Sequence, residues 1–400
     1  MGFFFKMKLS IIILYLFSIP YLISQEKDGQ KYQTEILVNF QKKLIKDEIT
    51  GSNEVVIFKN GKIVFHNIEN SLKKNDKQIT SKTIFPIWSM SKPVTVVAML
   101  TLHEKGLIDF DDPVSKYIPS FSNLKCKGIN GTYKCEKELK LIHLMNHRSG
   151  YKYYDGYYLD AFKSKDLEEL VRKIADKPVD FEPGTKYLYG INHSILGRVV
   201  EVVSGMSFDK YLNKSIFVPL EMNNTKFYLT DHDKNLFQPL FINNGSIKGF
   251  SQEGITGVGD FVTYDIKNRA YLGGEGLVST TKDFINFSRM LLNNGTYKGR
   301  KIISSESIKL MTKKHSEGYP VEENSFANTV GFYNGFSIWV MEKPEVAGFD
   351  APKGIYGHGG YQHTEFWIDP ENSLFALFMT RALSYKQHRE KFMKAVYLVF

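Results

Sequence analysis

The chain has 400 residues, which is enough for one large domain or two. Hydrophobic residues make up 42% and charged residues 24%, as in an ordinary globular protein, and this composition excludes a largely disordered chain. The formal charge of +9 comes from scattered lysines that are not interleaved with aromatic residues in a nucleic-acid-binding pattern, so we interpret it as a solvated basic surface.

The N-terminal segment has the layout of a secretory signal peptide. Lys6 and Lys8 precede an apolar run over residues 9–23, and a polar stretch follows. The run is shorter than the ~20 apolar residues of a spanning helix. Leu22 stands three positions before the proposed scission site, where signal peptides favour a small residue, so an uncleaved membrane anchor is the alternative. The pattern predicts a signal peptide over residues 1–24, an exported protein (periplasmic, in the cell envelope or secreted) and a mature domain over 33–400.

A helix and a hairpin are predicted at the start of the mature chain. Residues 33–48 have the apolar spacing of an amphipathic helix. Two apolar segments, 55–58 and 63–65, then flank an Asn-Gly pair at 60–61. That pair supplies the positive φ angles that a two-residue hairpin turn requires.

The tetrapeptide Ser89-Met90-Ser91-Lys92 has the form S-x-x-K, a spacing that also recurs by chance elsewhere in the chain. Here the serine opens a helical pattern that runs to Glu104 and ends at Gly106, a natural C-terminal cap. The serine N–H can therefore donate to an oxyanion at the helix N-terminus. The lysine lies one turn later on the same face and can share or take the serine proton. A capping serine with a snorkelling lysine is the alternative.

Cys126 and Cys135 are the two cysteines of the chain and lie in a loop-rich stretch over 107–140. Export would place them where disulfides persist, and glycines between them would let a short loop close. Two free thiols are the alternative. Because two cysteines are too few for a structural zinc site, no metal is predicted.

Helical patterns return over 164–176 and 191–204, and strand patterns follow late in the chain. The late elements are strands at 336–341, 364–368 and 374–379 and a final helix at 385–399. An early helix and hairpin, a helical middle, and closing strands with a helix predict a nested fold. Its two ends build one sheet, and the helical middle is inserted between them.

Seven stretches occur in a fixed order along the chain: 85–92, 106–119, 144–150, 183–189, 196–205, 216–222 and 273–280. Together they resemble class C β-lactamases, penicillin-binding proteins and their esterase and D-peptidase relatives. The resemblance implies a mixed α/β fold of the β-lactamase/transpeptidase type, with an antiparallel sheet flanked by helices and a helical insertion roughly over 110–270. It also implies a site at the junction of these two regions and a reaction that needs no cofactor.

The same resemblance assigns the remaining catalytic roles. The family's second motif, Tyr-x-Asn or Tyr-Ser-x, falls on residues 189–191 and makes Tyr189 the general base. A tyrosine needs a neighbouring cation such as Lys92 to act as a base at neutral pH. The third motif falls on His358-Gly359-Gly360. It makes His358 a ligand contact, lets substrate lie close to the glycine backbone, and makes the N–H of Tyr361 the second oxyanion donor.

Three departures from the β-lactamase pattern bear on the substrate. Ile191 replaces the asparagine that holds the substrate amide, and His358 and Gly359 replace the lysine and threonine that hold its carboxylate. These losses weaken recognition of a penicillin-like acid and leave the acyl-transfer groups in place. We therefore expect an acyl-enzyme serine hydrolase of carboxylesterase type that acts on a small ester, amide or peptide. A β-lactamase, a D-amino-acid peptidase and a non-catalytic ligand-binding surface protein are the alternatives.

Two other groups are weaker candidates. His143 and His147 stand four residues apart, which could place two imidazoles on one helix face for zinc, but no glutamate base accompanies them. Glu275 lies in a glycine-rich loop that we expect to border the pocket without a catalytic role.

Overall fold

The computed structural model describes residues 34–251, 264–315, 331–348, 350–384, 386 and 388–400. The predicted signal peptide over 1–24 lies outside these residues. No helix in the described ranges is both long enough and apolar enough to span a membrane.

The strands in the described residues are numbered in chain order. They are β1 Asn53–Lys59, β2 Lys62–Glu69, β3 Ile84–Pro86, β4 Lys125–Gly128, β5 Gly131–Lys134, β6 Leu240–Asn243, β7 Lys248–Ser251, β8 Val278–Thr280, β9 Thr296–Tyr297, β10 Arg300–Lys301, β11 Phe332–Asn334, β12 Trp339–Met341, β13 Tyr356–Gly359, β14 Glu365–Asp369, β15 Leu374–Thr380 and β16 Ala382–Ser384.

The helices are numbered in the same way. They are α1 34–46, α2 Ser91–Glu104, α3 Leu141–Met145, α4 Tyr157–Lys163, α5 Leu167–Ala175, α6 Asn192–Ser204, α7 Phe208–Leu212, α8 Asp231–Leu236, α9 Thr281–Leu292, α10 Ser305–Thr312, α11 Pro344–Ala347 and α12 Arg389–Val399.

The central sheet joins the two ends of the chain, as predicted. Its described strands follow the order β11-β12-β13-β14-β15-β1-β2, and every neighbouring pair is antiparallel. Val55 on β1 pairs with Phe378 on one side and with Asn67 on the other. The predicted hairpin turn is confirmed, because Asn60 and Gly61 adopt φ angles of 50° and 85°.

Helices cover both faces of this sheet, which confirms the predicted mixed α/β architecture. Alternate residues of a strand point to opposite faces, so Val55 packs in one cluster and Val56 in the other. The first cluster holds apolar residues of α1 and α12, such as Leu37 and Phe392. The second lies against α2, α6 and α9 and extends into the helical middle of the chain. β15 is buried along its whole length, as expected for a strand covered on both faces.

The middle of the chain carries α3 to α8 together with small strands. β3 pairs with β8, which ties the segment before α2 to the segment before α9. β6 pairs with β7 and runs parallel to β16, so part of the predicted helical insertion over 110–270 is strand. The limits of that insertion remain a prediction.

The predicted strand over 336–341 is wrong in its first half. β12 begins only at Trp339, because the preceding residues form a turn. Ser337 has a φ angle of 47° there, and its Oγ donates a hydrogen bond to the carbonyl oxygen of Met145. The apolar run reflects burial of Phe336 and Ile338 and not an extended backbone.

Cys126 and Cys135 form a disulfide across the β4–β5 hairpin. Nine positions separate them in the chain. We expect the double substitution Cys126→Ser and Cys135→Ser to lower the free energy of unfolding by about 2–3 kcal/mol, because a closed loop of about ten residues restricts the unfolded chain. Urea unfolding of both proteins measures this. Added reductant should lower the midpoint of the native protein and leave that of the double variant unchanged, and an unchanged native midpoint would contradict the prediction.

Candidate active site

The nucleophile turn lies between β3 and α2. Trp88, Ser89 and Met90 form a 3₁₀ turn, so α2 begins two residues later than the sequence predicted. Trp88 has a φ angle of 45°, an uncommon conformation for a bulky residue that occurs where surrounding structure enforces it. Ser89 is half-buried, whereas Trp88 and Met90 are buried.

The two serines of the S-x-x-K segment have different surroundings. Ser91 is fully buried, and its Oγ accepts a hydrogen bond from the backbone N–H of Leu277 at 3.2 Å. The backbone N–H of Ile87 also donates to Leu277, at the carbonyl oxygen, over 3.0 Å. Ser91 therefore holds the turn against the loop before β8, and Ser89 is the serine that is open to a ligand.

Lys92 is buried, and its ammonium nitrogen lies beside Ser89. Among the described residues, Nζ contacts the Oγ of Ser89 at 3.0 Å, the Oη of Tyr153 at 3.2 Å and the carbonyl oxygen of Gly274 at 2.9 Å. Nζ also lies 3.9 Å from an oxygen of Glu275. These contacts use the full donor capacity of a lysine ammonium.

Tyr189 reaches Ser89 from the other side. Its Oη lies 2.9 Å from the Oγ of Ser89, and the Nζ of Lys92 lies 4.8 Å from the centre of its ring. His147 supports this segment, because its Nδ1 accepts from the backbone N–H of Gly190 at 3.3 Å and its ring lies 4.6 Å from that of Tyr189. A β-carbon at position 190 would lie 2.1 Å from the carbonyl oxygen of Tyr151, so only glycine fits there.

The third predicted motif forms the end of β13. The Nδ1 of His358 donates to the carbonyl oxygen of Gly359 at 2.8 Å, and its ring lies 6.4 Å from that of Tyr189. Burial lowers the pKa of His358 to about 3, with the charge of Lys92 acting in the same direction, so the imidazole is neutral near pH 7.

The two glycines of this motif lie against other groups. A β-carbon at Gly360 would lie 2.7 Å from the carbonyl oxygen of Ile87, immediately before the nucleophile turn. A β-carbon at Gly359 would lie 2.5 Å from both the Nη2 of Arg389 and the Oε2 of Glu365, and the Nε of Arg389 forms a salt bridge with that same Oε2 at 2.8 Å. Glycine at position 360 therefore lets the chain just after β13 approach the backbone that precedes the nucleophile turn.

The remaining predicted contacts differ in exposure. Tyr361 is half-exposed, and its ring packs edge-on against Trp88 at a centroid distance of 5.2 Å. The backbone that is predicted to supply the second oxyanion donor is thus adjacent to the nucleophile turn. Ile191 is only 1% exposed and belongs to the hydrophobic core at the start of α6. Its side chain is not open to a ligand as Tyr361 is.

Two residues in this network carried no catalytic prediction. The Oη of Tyr153 donates to the Oε2 of Glu275 at 3.2 Å and also contacts Lys92. Burial raises the pKa of Glu275, and the Lys92 charge opposes that shift. Neither residue belongs to a recognised motif, and the only sequence signal was the position of Glu275 in a glycine-rich loop.

His143 and His147, the two histidines considered as zinc ligands, accept hydrogen bonds from the backbone of loops near the site. The Nδ1 of His143 accepts from the backbone N–H of Lys140, and His147 supports the Tyr189 segment. In the described part of the chain, one group of potential metal ligands comes together, namely Cys126, Cys135 and Glu182. Both of its cysteines are consumed by the disulfide.

A serine hydroxyl that contacts both a lysine and a tyrosine, next to the end of an inner strand of an antiparallel sheet, defines a serine hydrolase of the β-lactamase type. The sequence model of the family described as Beta-lactamase matches residues 42–397, and the chain belongs to that family. This membership confirms the predicted resemblance and the prediction that the protein is an enzyme.

Named relatives differ in activity. The chain is 25% identical over 360 residues to the "Putative D-alanyl-D-alanine carboxypeptidase" of Escherichia coli K12, covering 82% of this chain and 78% of that one. EstCE1, a hydrolase with promiscuous acyltransferase activity, superposes with a TM-score of 0.75 at 21% identity over 92% and 99% of the two chains. The LovD6 mutant of simvastatin synthase from Aspergillus terreus gives 0.73 at 17% identity over 91% and 96%. The two structural likenesses show the fold.

Proposed function

We propose that the protein is an exported carboxylesterase-type hydrolase that acts through an acyl-enzyme on Ser89. The observation that carries this proposal is the position of the Ser89 Oγ between two proton-handling groups. Lys92 lies 3.0 Å away on one side and Tyr189 lies 2.9 Å away on the other. Both distances are within the hydrogen-bond reach that proton transfer to or from a nucleophile requires.

The proposed reaction has two halves. The proposed base is the side-chain oxygen of Tyr189, which lies 2.9 Å from the Ser89 Oγ. Ser89 Oγ adds to the ester carbonyl carbon as its proton passes to Tyr189, and the N–H groups of Ser89 and Tyr361 hold the oxyanion. Collapse of this tetrahedral intermediate breaks the bond between the carbonyl carbon and the alcohol oxygen, and the alcohol oxygen takes the proton from Tyr189. Water then adds to the acyl carbon, again with Tyr189 as the proton carrier, and the acid leaves as Ser89 regains its proton.

The surroundings of Ser89 favour a neutral ester over a penicillin-like acid. A neutral His358 supplies no positive charge for a carboxylate. The Glu365–Arg389 pair occupies the space that a threonine at Gly359 would need. The buried side chain of Ile191 offers no hydrogen bond to a substrate amide.

A substrate panel tests this proposal directly. We expect kcat/KM for p-nitrophenyl butyrate to exceed that for nitrocefin by about tenfold or more, because each missing hydrogen bond to a charged group weakens the transition state. Ser89→Ala provides the blank for both substrates. A tenfold preference for nitrocefin would contradict the proposal and favour a β-lactamase.

A D-alanyl-D-alanine carboxypeptidase is the second candidate, and the name of the relative from Escherichia coli favours it. That activity needs a site for the free carboxylate of a D-alanine. Release of D-alanine from a peptide ending in D-Ala-D-Ala, measured in the same panel, distinguishes the two candidates. Turnover of the peptide above that of the ester would replace the esterase proposal.

Export is proposed from the N-terminal segment. Lys6, Lys8 and the apolar run after them have the layout of a signal peptide over 1–24, which would leave a hydrolase domain over 33–400. The disulfide between Cys126 and Cys135 supports an oxidising compartment, where such bonds persist.

A further inference from the structure

Lys92 is buried beside a carboxylate that the proposed reaction does not use. Glu275 is 2% exposed, and among the described residues it is the acid within ion-pair distance of Lys92, at 3.9 Å. A buried ammonium needs compensation of its charge, because burial without a partner strongly disfavours a charged group. Tyr153 lies between the two and contacts both.

The Nζ of Lys92 has three hydrogen-bonding positions, and only one of them differs between a charged and a neutral Lys92. The carbonyl oxygen of Gly274 can only accept, so it takes one N–H of Lys92. Tyr153 spends its single proton on the Oε2 of Glu275, so its oxygen accepts a second N–H. The third position of Nζ faces the Oγ of Ser89. It carries an N–H if Lys92 is an ammonium and a lone pair if Lys92 is an amine.

Several features favour a negative charge on Glu275. Its carboxyl group accepts hydrogen bonds from the hydroxyl groups of Tyr153 and Tyr157, which favour the charged form against the opposing effect of burial. Burial raises the pKa of Tyr153 well above its usual value, so Tyr153 remains a neutral donor to this carboxyl group. The adjacent Gly274 permits this arrangement, since a β-carbon there would lie 3.2 Å from the Nζ of Lys92.

We propose that Glu275 is a positioning residue which, together with Tyr153, holds Lys92 as an ammonium and so makes Tyr189 the proton acceptor for Ser89. This inference rests on the proposed acyl transfer at Ser89. It assigns Lys92 the role of a fixed cation and excludes it as the base. The other titratable groups around Lys92 and Glu275 are Tyr157 and Tyr158 of α4, His147, His193 of α6 and His358 of β13.

The first test is the pH profile of kcat/KM for p-nitrophenyl butyrate in Glu275→Gln. This variant keeps the shape of the side chain and an acceptor for Tyr153 but removes the charge. We expect the alkaline limb of this profile, which is the fall in kcat/KM at high pH, to move to lower pH by about one unit or more. This is the size of effect that an opposite charge within 4–6 Å produces. Glu275→Asp, which restores a carboxylate, should return the limb toward the native position. An alkaline limb that is unchanged in Glu275→Gln would overturn the inference.

The second test combines this variant with a change at Tyr189. If Glu275→Gln frees Lys92 to accept a proton, Tyr189→Phe should cost about tenfold less in that background than in the native protein. Equal costs in both backgrounds would contradict the inference. Glu54→Gln is the matched control. Glu54 is a buried carboxylate on β1, three strands from β13, that bonds to His66 and Thr281, and we expect the limb to stay unchanged in this variant.

Thermal unfolding of each variant distinguishes a loss of folding from a loss of activity. Should Glu275→Gln not fold, Tyr153→Phe carries the test, since it keeps the charge but breaks the bridge, and its limb should move in the same direction by less. An unmoved limb in Tyr153→Phe would then overturn the inference. A native protein that forms no acyl adduct on Ser89 contradicts the proposed function, whereas a labelled native protein with an unmoved Glu275→Gln limb contradicts only the role of Glu275.

Discussion

Ser89→Ala is expected to reduce the hydrolysis of p-nitrophenyl butyrate by about 10⁴-fold or more while the fold is retained. The Ser89 Oγ is the atom that Lys92 and Tyr189 both contact, and its loss leaves no group at that point to form the acyl-enzyme. Ser89 is half-buried, and the substitution removes a single hydroxyl group, so we expect the fold to be retained. Steady-state kinetics and the intact mass after treatment with a fluorophosphonate measure the two consequences, lost turnover and lost labelling.

Ser91→Ala is the matched control for this prediction. Its hydroxyl is two residues away but buried, where it accepts a hydrogen bond from Leu277. We expect this variant to keep the label on Ser89 and to lose about 1 kcal/mol of stability, the usual cost of one buried hydrogen bond. An adduct on Ser91, or an active native preparation with no adduct on either serine, would show that the nucleophile is misassigned.

The elements that the sequence predicted well depend on local patterns. The Asn-Gly hairpin follows from the φ angles of two adjacent residues, and β15 follows from one continuous apolar run. The contact between Ser89 and Lys92 follows from their spacing within a single turn. Such features need no knowledge of distant parts of the chain.

The features that could not be predicted depend on contacts between distant segments. Tyr153 meets Lys92 across 61 positions, and the Gly274 carbonyl meets it across 182. Neither residue type nor spacing marks such a contact before the fold is known. The same holds for the Glu365–Arg389 pair under Gly359, which only the packing of α12 on the sheet brings there.

The strained turn at Trp88 is a third such case. An aromatic residue has no intrinsic preference for the left-handed region. Here Ile87 is fixed by Leu277 and the Trp88 ring is packed by Tyr361, so tertiary contacts determine the backbone. The sequence therefore predicted a helix opening at Ser89, and the structure has a 3₁₀ turn that raises Ser89 out of the core.

Tyr189→Phe is expected to lower kcat by about 10²-fold or more, which is the usual scale for loss of a general base. The substitution removes the oxygen that lies 2.9 Å from the Ser89 Oγ and leaves the ring on His147. Because the hydroxyl acts on the transferred proton and not on the bound ester, the loss should appear in kcat with KM nearly unchanged.

Tyr187→Phe is the control that separates this role from the general loss of a tyrosine hydroxyl. Tyr187 lies two residues earlier on the same segment, is buried, and has its ring 5.9 Å from that of His147. We expect its turnover to match that of the native protein. Stopped-flow measurement of acylation for both variants places the effect on the first proton transfer. Near-normal acylation by Tyr189→Phe would transfer the base role to Lys92. Because Glu275 is inferred to hold Lys92 as an ammonium, the same result would also contradict the role inferred for Glu275.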